Sequence, residues 1–126
     1  MKNRKLILRR ISDTKPFKAM DGATIYEIFR PGNSKIKNIG IAGGFLKPSQ
    51  KALIHFHKIS EEIYYIVSGK GKVRVGDAKV KIREGDSIYI PIKTVHALEN
   101  TSKTKPLRIL AISAPPYSEE DIFFVK

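Results

Sequence analysis

The chain has 126 residues, 24 Lys and Arg against 12 Asp and Glu, a formal net charge of +12 and no cysteine. Its length reads as one domain over residues 1–126, long enough to bury a core without staples, and the missing cysteine excludes disulfides and thiolate metal sites. No apolar run approaches the roughly eighteen residues of a membrane span, and Leu6–Leu8 is too short for the core of a signal peptide, so a cytoplasmic protein is expected.

The positive balance raises the question of nucleic acid. The lysines are spread along the sequence, with only Lys2–Arg10 locally dense, and no zinc-finger, RNP-like or basic-zipper pattern is present. A solvated basic surface that attracts small anions is the plainer reading. Nucleic acid is not an expected partner; a binder of that kind would need one contiguous Lys/Arg face. A composition rich in Lys and Ile, with Gln50 as the single glutamine, is thermophile-like.

Taken in chain order, short β-branched and aromatic runs between turn residues predict strands. They fall at Ala23–Phe29, Lys37–Leu46, Ala52–His57, Glu62–Val67, Lys72–Val75, Lys79–Ile82, Ser87–Ile90, His96–Asn100 and Leu107–Ser113. Gly43-Gly44 marks a bend or close backbone approach. Gly69 and Gly71 are turn glycines; no strand-to-helix context makes them a phosphate loop. Pro115-Pro116 stops the last long strand, Ser118–Asp121 has the composition of a capped helical turn, and Ile122–Val125 is a closing apolar tag. No long amphipathic helix is predicted. Many short strands at regular spacing argue for an all-β sandwich or barrel.

All three histidines of the chain lie in two segments, IHFHKISEEIYYIVSGKG (Ile54–Gly71) and GDSIYIPIKTVHALEN (Gly85–Asn100). In a strand, residues i and i+2 share a face, so His55 and His57 point together and Phe56 points away. Two imidazoles on one face begin a chelate, and a divalent metal then takes further imidazole or carboxylate ligands. Glu61 and Glu62 are the carboxylates at hand. If Glu62 opens a strand it shares a face with Tyr64 and Ile66, which leaves Glu61 on the other side or in the loop. The alternatives are hydrogen-bonded core histidines, or a His-x-His pair exposed on an edge strand.

These segments resemble the two signatures of the cupin superfamily. In the first, His-x-His is followed by Glu and then Gly; here His55, His57, four residues, Glu62, six residues and Gly69 fit. The second has Gly, five residues, Pro-x-Gly, two residues, His, three residues and Asn; here Gly85, Pro91, His96 and Asn100 fall in register. Two signature glycines are replaced, by Ser49 and by Lys93, both at turns.

The resemblance implies an all-β fold, a cupin-type double-stranded jelly-roll β-barrel, with a signature core at about 40–114. It also implies a metal held inside by His55, His57, Glu62 and His96. The ending LRILAISAPPYSEEDIFFV is similar to stand-alone cupins of the mannose-6-phosphate isomerase-like type, a fold-level likeness that says little about substrate. Three imidazoles and one carboxylate suit Mn, Fe, Co, Ni, Cu or Zn better than Ca or Mg. Isomerase, dioxygenase, decarboxylase and lyase chemistry all occur among such proteins.

The expected function is a metalloenzyme, sugar-phosphate isomerase-like or dioxygenase-like, acting on a small polar or anionic substrate. The alternative is a non-catalytic, metal-stabilised module that binds a sugar or other small ligand. Tyr64 shares the Glu62 face and is the candidate catalytic residue beside the metal, with a core packing role as its alternative. Tyr26, Arg30 and Arg108 offer a phenol or a cation to an anionic substrate, or serve as ordinary surface and packing residues. Asn100 is expected to hold a turn. The apolar ends, Leu6–Leu8 and Ile122–Val125, predict a homodimer unless they cover their own barrel.

Overall fold

The computed structural model describes residues 6–125, so the part of the basic N-terminal stretch before Leu6 lies outside the described residues. Eleven strands are formed: β1 (Phe17–Lys18), β2 (Thr24–Phe29), β3 (Gly40–Leu46), β4 (His55–Phe56), β5 (Glu61–Ser68), β6 (Lys70–Val75), β7 (Ala78–Arg83), β8 (Ser87–Ile90), β9 (His96–Asn100), β10 (Leu107–Ala114) and β11 (Phe123–Phe124). They make two antiparallel sheets, one in the order β1-β2-β3-β10-β5-β8 and the other β11-β4-β9-β6-β7. From β3 onward the chain crosses between the sheets at almost every connection. Helical structure among the described residues is confined to 3-10 turns at Ile11–Asp13, Pro31–Asn33 and Glu119–Asp121. Among the described residues no helix is long and apolar enough to cross a membrane.

The predicted strands are all present, with boundaries moved by a few residues. The exception in extent is the run Ala52–His57, in which only His55 and Phe56 form ladder pairs. Its flanks are extended, but their backbone groups bond to scattered partners: Ala52 N donates to Leu98 O, Leu53 N to Asp21 O, and His57 O accepts from Lys93 N. The short β1 was not predicted; both its residues are exposed, so no burial alternation announces it.

Alternation decides what faces inward. Along β5 the residues Glu62, Tyr64 and Ile66 are buried, while Glu61, Ile63, Tyr65 and Val67 are exposed. Ile66 packs with Leu46, Val73, Ile90, Leu98 and Leu107 between the two sheets. Gly71 sits where a Cβ would collide with the Glu99 carbonyl oxygen and approach the Leu107 side chain, so it is needed for close strand approach rather than for a turn. Asn100 behaves as predicted: its amide donates to the carbonyl oxygens of Leu46, Lys47 and Lys105 and its Oδ1 accepts from Ser102 N.

Ser49 and Lys93, which replace signature glycines, both adopt left-handed backbone, with φ of 65° and 60°. The turn geometry therefore survives without the residue that favours it. The conformation costs a non-glycine residue on the order of 1 kcal/mol. Part of that is offset for the wild type, because a glycine loses more chain entropy on folding.

The lysines that look scattered in sequence are aligned in space. Register places Lys70 opposite Arg83, Lys72 opposite Lys81 and Arg74 opposite Lys79, all on the outer face of β6 and β7. No ion pair to these six is formed among the described residues. Like charges directly opposed across strands repel, and β7 is the edge of its sheet, where lysines discourage pairing with another chain.

Two predictions come from this architecture. Ser49→Gly and Lys93→Gly should each stabilise the fold modestly, by up to about 1 kcal/mol in urea unfolding; a loss of stability would show that the side chains, not the backbone, matter there. Lys81→Glu should raise Tm at low salt, and the gain should shrink as salt screens the face. A salt-independent gain would mean the repulsion is not the cause.

Candidate metal centre

Three strands or their ends bring the predicted ligands together. β4 carries His55, His57 follows it directly, and β9 opens with His96, which stands opposite His55 in the ladder. These three imidazoles come from the five-stranded sheet. Glu62 comes from the other sheet, in β5, where it lies between Ser113 and Ile90. All four side chains are buried, and His96 is fully so. One ligand atom from each lies within 4.8 Å of the other three. The ring centroids of His55 and His96 are 4.3 Å apart, those of His55 and His57 5.1 Å, and those of His57 and His96 5.3 Å.

Each imidazole has its Nδ1 committed to the main chain. His55 Nδ1 is 2.8 Å from Leu53 O, His57 Nδ1 is 2.7 Å from Asp121 O and His96 Nδ1 is 3.0 Å from Thr94 O. A carbonyl oxygen only accepts, so each Nδ1 carries the proton and donates. The lone pair is thereby left on Nε2, the arrangement that readies a histidine to bind a metal.

Glu62 Oε1 lies 2.8 Å from His57 Nε2 and 3.2 Å from His96 Nε2. Neither contact has hydrogen-bonding geometry, and Glu62 Oε1 and His96 Nε2 are buried without a hydrogen-bond partner. Native interiors rarely leave such atoms unmatched. A cation of the borderline class accounts for both, since it is bound by lone pairs and needs no donor. With metal–ligand distances of about 2.1 Å, ligands on opposite sides of one ion are about 4.2 Å apart, so the observed cluster fits a single ion with small adjustments. The donor set of three nitrogens and one carboxylate is the one expected from the sequence.

The titration properties agree. Burial alone would raise the Glu62 carboxyl, but the adjacent His57 and His96 imidazoles outweigh it and hold it down at about 2. Burial pushes His57 down, and Glu62 together with Asp121 overcomes this and raises it. His55 is lowered by burial and by His96, against the pull of the Leu53 carbonyl.

A cavity of about 420 Å³ opens onto the group, with His55, His57 and Glu62 in its wall. Much of the lining is apolar, including Ile25, Leu46, Leu98 and Ile109; Asp21, Tyr64 and Tyr117 add polar groups, and the exposed Lys18 and Arg30 line its outer part. Tyr64 has its ring 6.0 Å from that of His96. Burial, with Glu62 and Asp21, raises its phenol well above the usual range, so it stays protonated. Arg30 is ion-paired with Glu27. Tyr26 and Arg108 do not line the cavity; Tyr26 packs 6.1 Å from the Phe45 ring and the Arg108 guanidinium lies 5.4 Å from the same ring. Glu61 lies on the outer face, accepting a hydrogen bond from the Tyr89 hydroxyl at 2.8 Å.

Residues that the sequence did not single out complete the surroundings. Tyr117 sets its ring 5.7 Å from His57, edge to face, and its phenol is pushed up to about 12 by burial and by Glu119, Asp21 and Glu62. Asp21 holds the segment before His55 through its own carbonyl, which accepts from Leu53 N. Asp121 was visible only as part of a capped turn, yet its carbonyl orients His57. Nothing in the spacing of these residues marks them, because their roles depend on main-chain groups or on distant packing.

Comparison with known proteins agrees with the geometry. The family profile described as Cupin domain matches residues 45–113. An uncharacterised protein of Methanocaldococcus jannaschii is 40% identical over 117 residues, 93% of each chain. A mannose-1-phosphate guanylyltransferase of Salmonella typhimurium is 33% identical over 100 residues, 75% of this chain and 21% of that protein. The alginate biosynthesis protein AlgA of Pseudomonas aeruginosa is 32% identical over 101 residues, again 75% of this chain and 21% of its own length. The chain thus spans about a fifth of these two longer relatives. Among solved structures, a predicted oxalate decarboxylase from Thermotoga maritima superposes with a TM-score of 0.77 at 23% identity, covering 86% of this chain and 99% of that one. The nucleoside dehydratase Pac13, from Streptomyces, superposes with a TM-score of 0.76 at 17% identity, covering 97% and 92%. These structures share the jelly-roll fold. With the family profile matched over more than half its length and both signatures converging on one buried cluster, the chain belongs to the cupin family.

Proposed function

We propose that this cupin is a cytoplasmic metalloenzyme of one domain that acts on a small polar or anionic substrate. Its divalent transition metal would be held by His55, His57, Glu62 and His96. The observation that carries the reading is the pair of buried, unpartnered atoms, Glu62 Oε1 and His96 Nε2, converging with two further imidazoles beside a cavity. Four protein ligands leave open positions on a five- or six-coordinate ion, and such an ion supplies Lewis-acid polarisation of a bound oxygen. The chain's own residues do the rest. The apolar wall excludes water from the body of the substrate, Lys18 attracts an anionic group at the outer part, and the neutral Tyr64 phenol donates a hydrogen bond or proton toward the substrate.

Sugar-phosphate isomerase-like and dioxygenase-like chemistry remain the two reaction classes to separate. The mannose-1-phosphate relatives favour a phosphorylated sugar. The non-catalytic small-ligand module is the alternative, and it would keep the cavity and the metal without turnover. The cationic face of β6 and β7 favours a polyanion as partner, but its place at a sheet edge accounts for the charge without one.

We also propose a homodimer. Leu6, Ile7 and Leu8 are 88%, 63% and 60% exposed, so they do not cover their own barrel. The outer face of the six-stranded sheet adds exposed Ile63, Tyr65, Val67 and Tyr89, with Glu61 hydrogen-bonded to Tyr89 at their side. Exposed aromatic and branched apolar side chains grouped in this way have the composition of an interface core.

Metal analysis by mass spectrometry tests the first proposal. Tag-free protein should hold near one ion per chain, and His55→Ala and His96→Ala should each lose it. The ion should also leave as pH falls through the imidazole range near 6.5, since protons compete for Nε2. Wild-type protein that takes up no metal after reconstitution would remove the metalloenzyme reading. Metal identity then directs the assays, iron toward oxygen chemistry and zinc, nickel or manganese toward isomerisation. Sedimentation equilibrium tests the second proposal: a dimer at micromolar concentration that Ile63→Lys shifts to monomer. A monomeric wild type would overturn it.

A further inference from the structure

Strand β4, which carries His55 and leads directly into His57, is short and weakly held. Its only ladder pair with β9 is His55 with His96. On its other side it pairs with β11, where Phe123 stands opposite Phe56 and Phe124 opposite His55, and Val125 N donates to Ile54 O at 3.1 Å. The C-terminal segment is therefore the second wall of the strand that presents two ligands.

Within that segment Asp121 is 5% exposed. Its Oδ1 accepts from Lys58 N at 2.9 Å and from Ile59 N at 3.1 Å; its Oδ2 accepts from Ile59 N at 3.1 Å and from Ser60 N at 3.0 Å. No cation is ion-paired with it among the described residues. Charge-assisted hydrogen bonds from three main-chain N–H groups to one buried carboxylate are strong and directional, so they hold that stretch of backbone in one arrangement. Those N–H groups belong to the loop joining His57 to Glu62, two of the four ligands. The same residue's carbonyl holds His57 Nδ1 at 2.7 Å.

We propose that Asp121 is a positioning residue of the metal centre: its carboxylate shapes the Lys58–Ser60 loop between two ligands while its carbonyl sets the tautomer and direction of a third contact, His57 Nδ1. The inference rests on the metal reading above. Asp121 touches no ligand atom that would bind the ion; it acts through His57 and the loop. Occupancy of the site and docking of the C-terminal segment then favour each other, because the ion binds best to the conformation in which that segment is in place. Outer partners of metal ligands of this kind change affinity by about 10–100-fold when altered.

The test is titration with Co²⁺ followed by its visible absorption, with a competing chelator to give the affinity. Asp121→Asn should weaken Co²⁺ binding by about 10–100-fold and alter the absorption envelope, which reports ligand geometry. Ile82→Val, a core change in β7 away from the cavity, should lower Tm without moving either readout. Equal affinity and spectrum for Asp121→Asn and wild type would overturn the proposal and leave the metal site standing. A wild type that takes up no Co²⁺ would overturn both. If Asp121→Asn does not fold, hydrogen exchange on the wild type decides. Saturating Co²⁺ should slow exchange at the amides of Lys58–Ser60 and of Phe123–Val125, and unchanged exchange at those positions would overturn the proposal.

Discussion

The structure turns on one confrontation: a buried carboxylate from one sheet faces three buried imidazoles from the other. Placing four polar side chains in the middle of an apolar sandwich is unfavourable unless each finds a partner. The three Nδ1 atoms find theirs on the main chain. Glu62 Oε1 and His96 Nε2 find none among the described residues, and the proposed metal centre would serve them both. Because Glu62 and the histidines belong to different sheets, that centre also ties the two sheets together at the inner end of the cavity.

Local backbone requirements follow from this arrangement. His55 and His96 must stand opposite one another, so β4 and β9 share a register with no room for slippage. The turn before β9 must present His96 at the strand's first residue, and Lys93 enters a left-handed conformation to do so, its N–H anchored on the His57 carbonyl. The barrel accepts a modest strain at that turn to keep a ligand in place.

Much of this was legible in the sequence, and for a physical reason. Strand parity paired His55 with His57 and Glu62 with Tyr64 and Ile66, and β5 alternates as that argument requires. The spacing of both signatures brought His96 to the same group. Glu61, Asn100 and the two turn residues Ser49 and Lys93 also read correctly, since each depends on neighbours close in the chain or on a strict period. What stayed hidden depends on contacts between distant segments. The cationic pairs of β6 and β7 appear only once register is known. Asp121 works through backbone atoms more than sixty positions away in sequence, and Arg30 reaches the cavity from the end of β2 while Tyr26 and Arg108 pack against Phe45.

The backbone anchoring of the imidazoles has an evolutionary consequence. Leu53 and Thr94 orient their histidines through carbonyl oxygens, which every amino acid possesses. Drift at those two positions leaves the tautomers untouched, so relatives can diverge there while the ligand set stays fixed. Asp121 combines the same anonymous carbonyl with a carboxylate that only one or two side chains can imitate. Among the three anchors it is the one where divergence carries information, and its replacement in a relative would mark a lineage in which the centre has been rebuilt or abandoned.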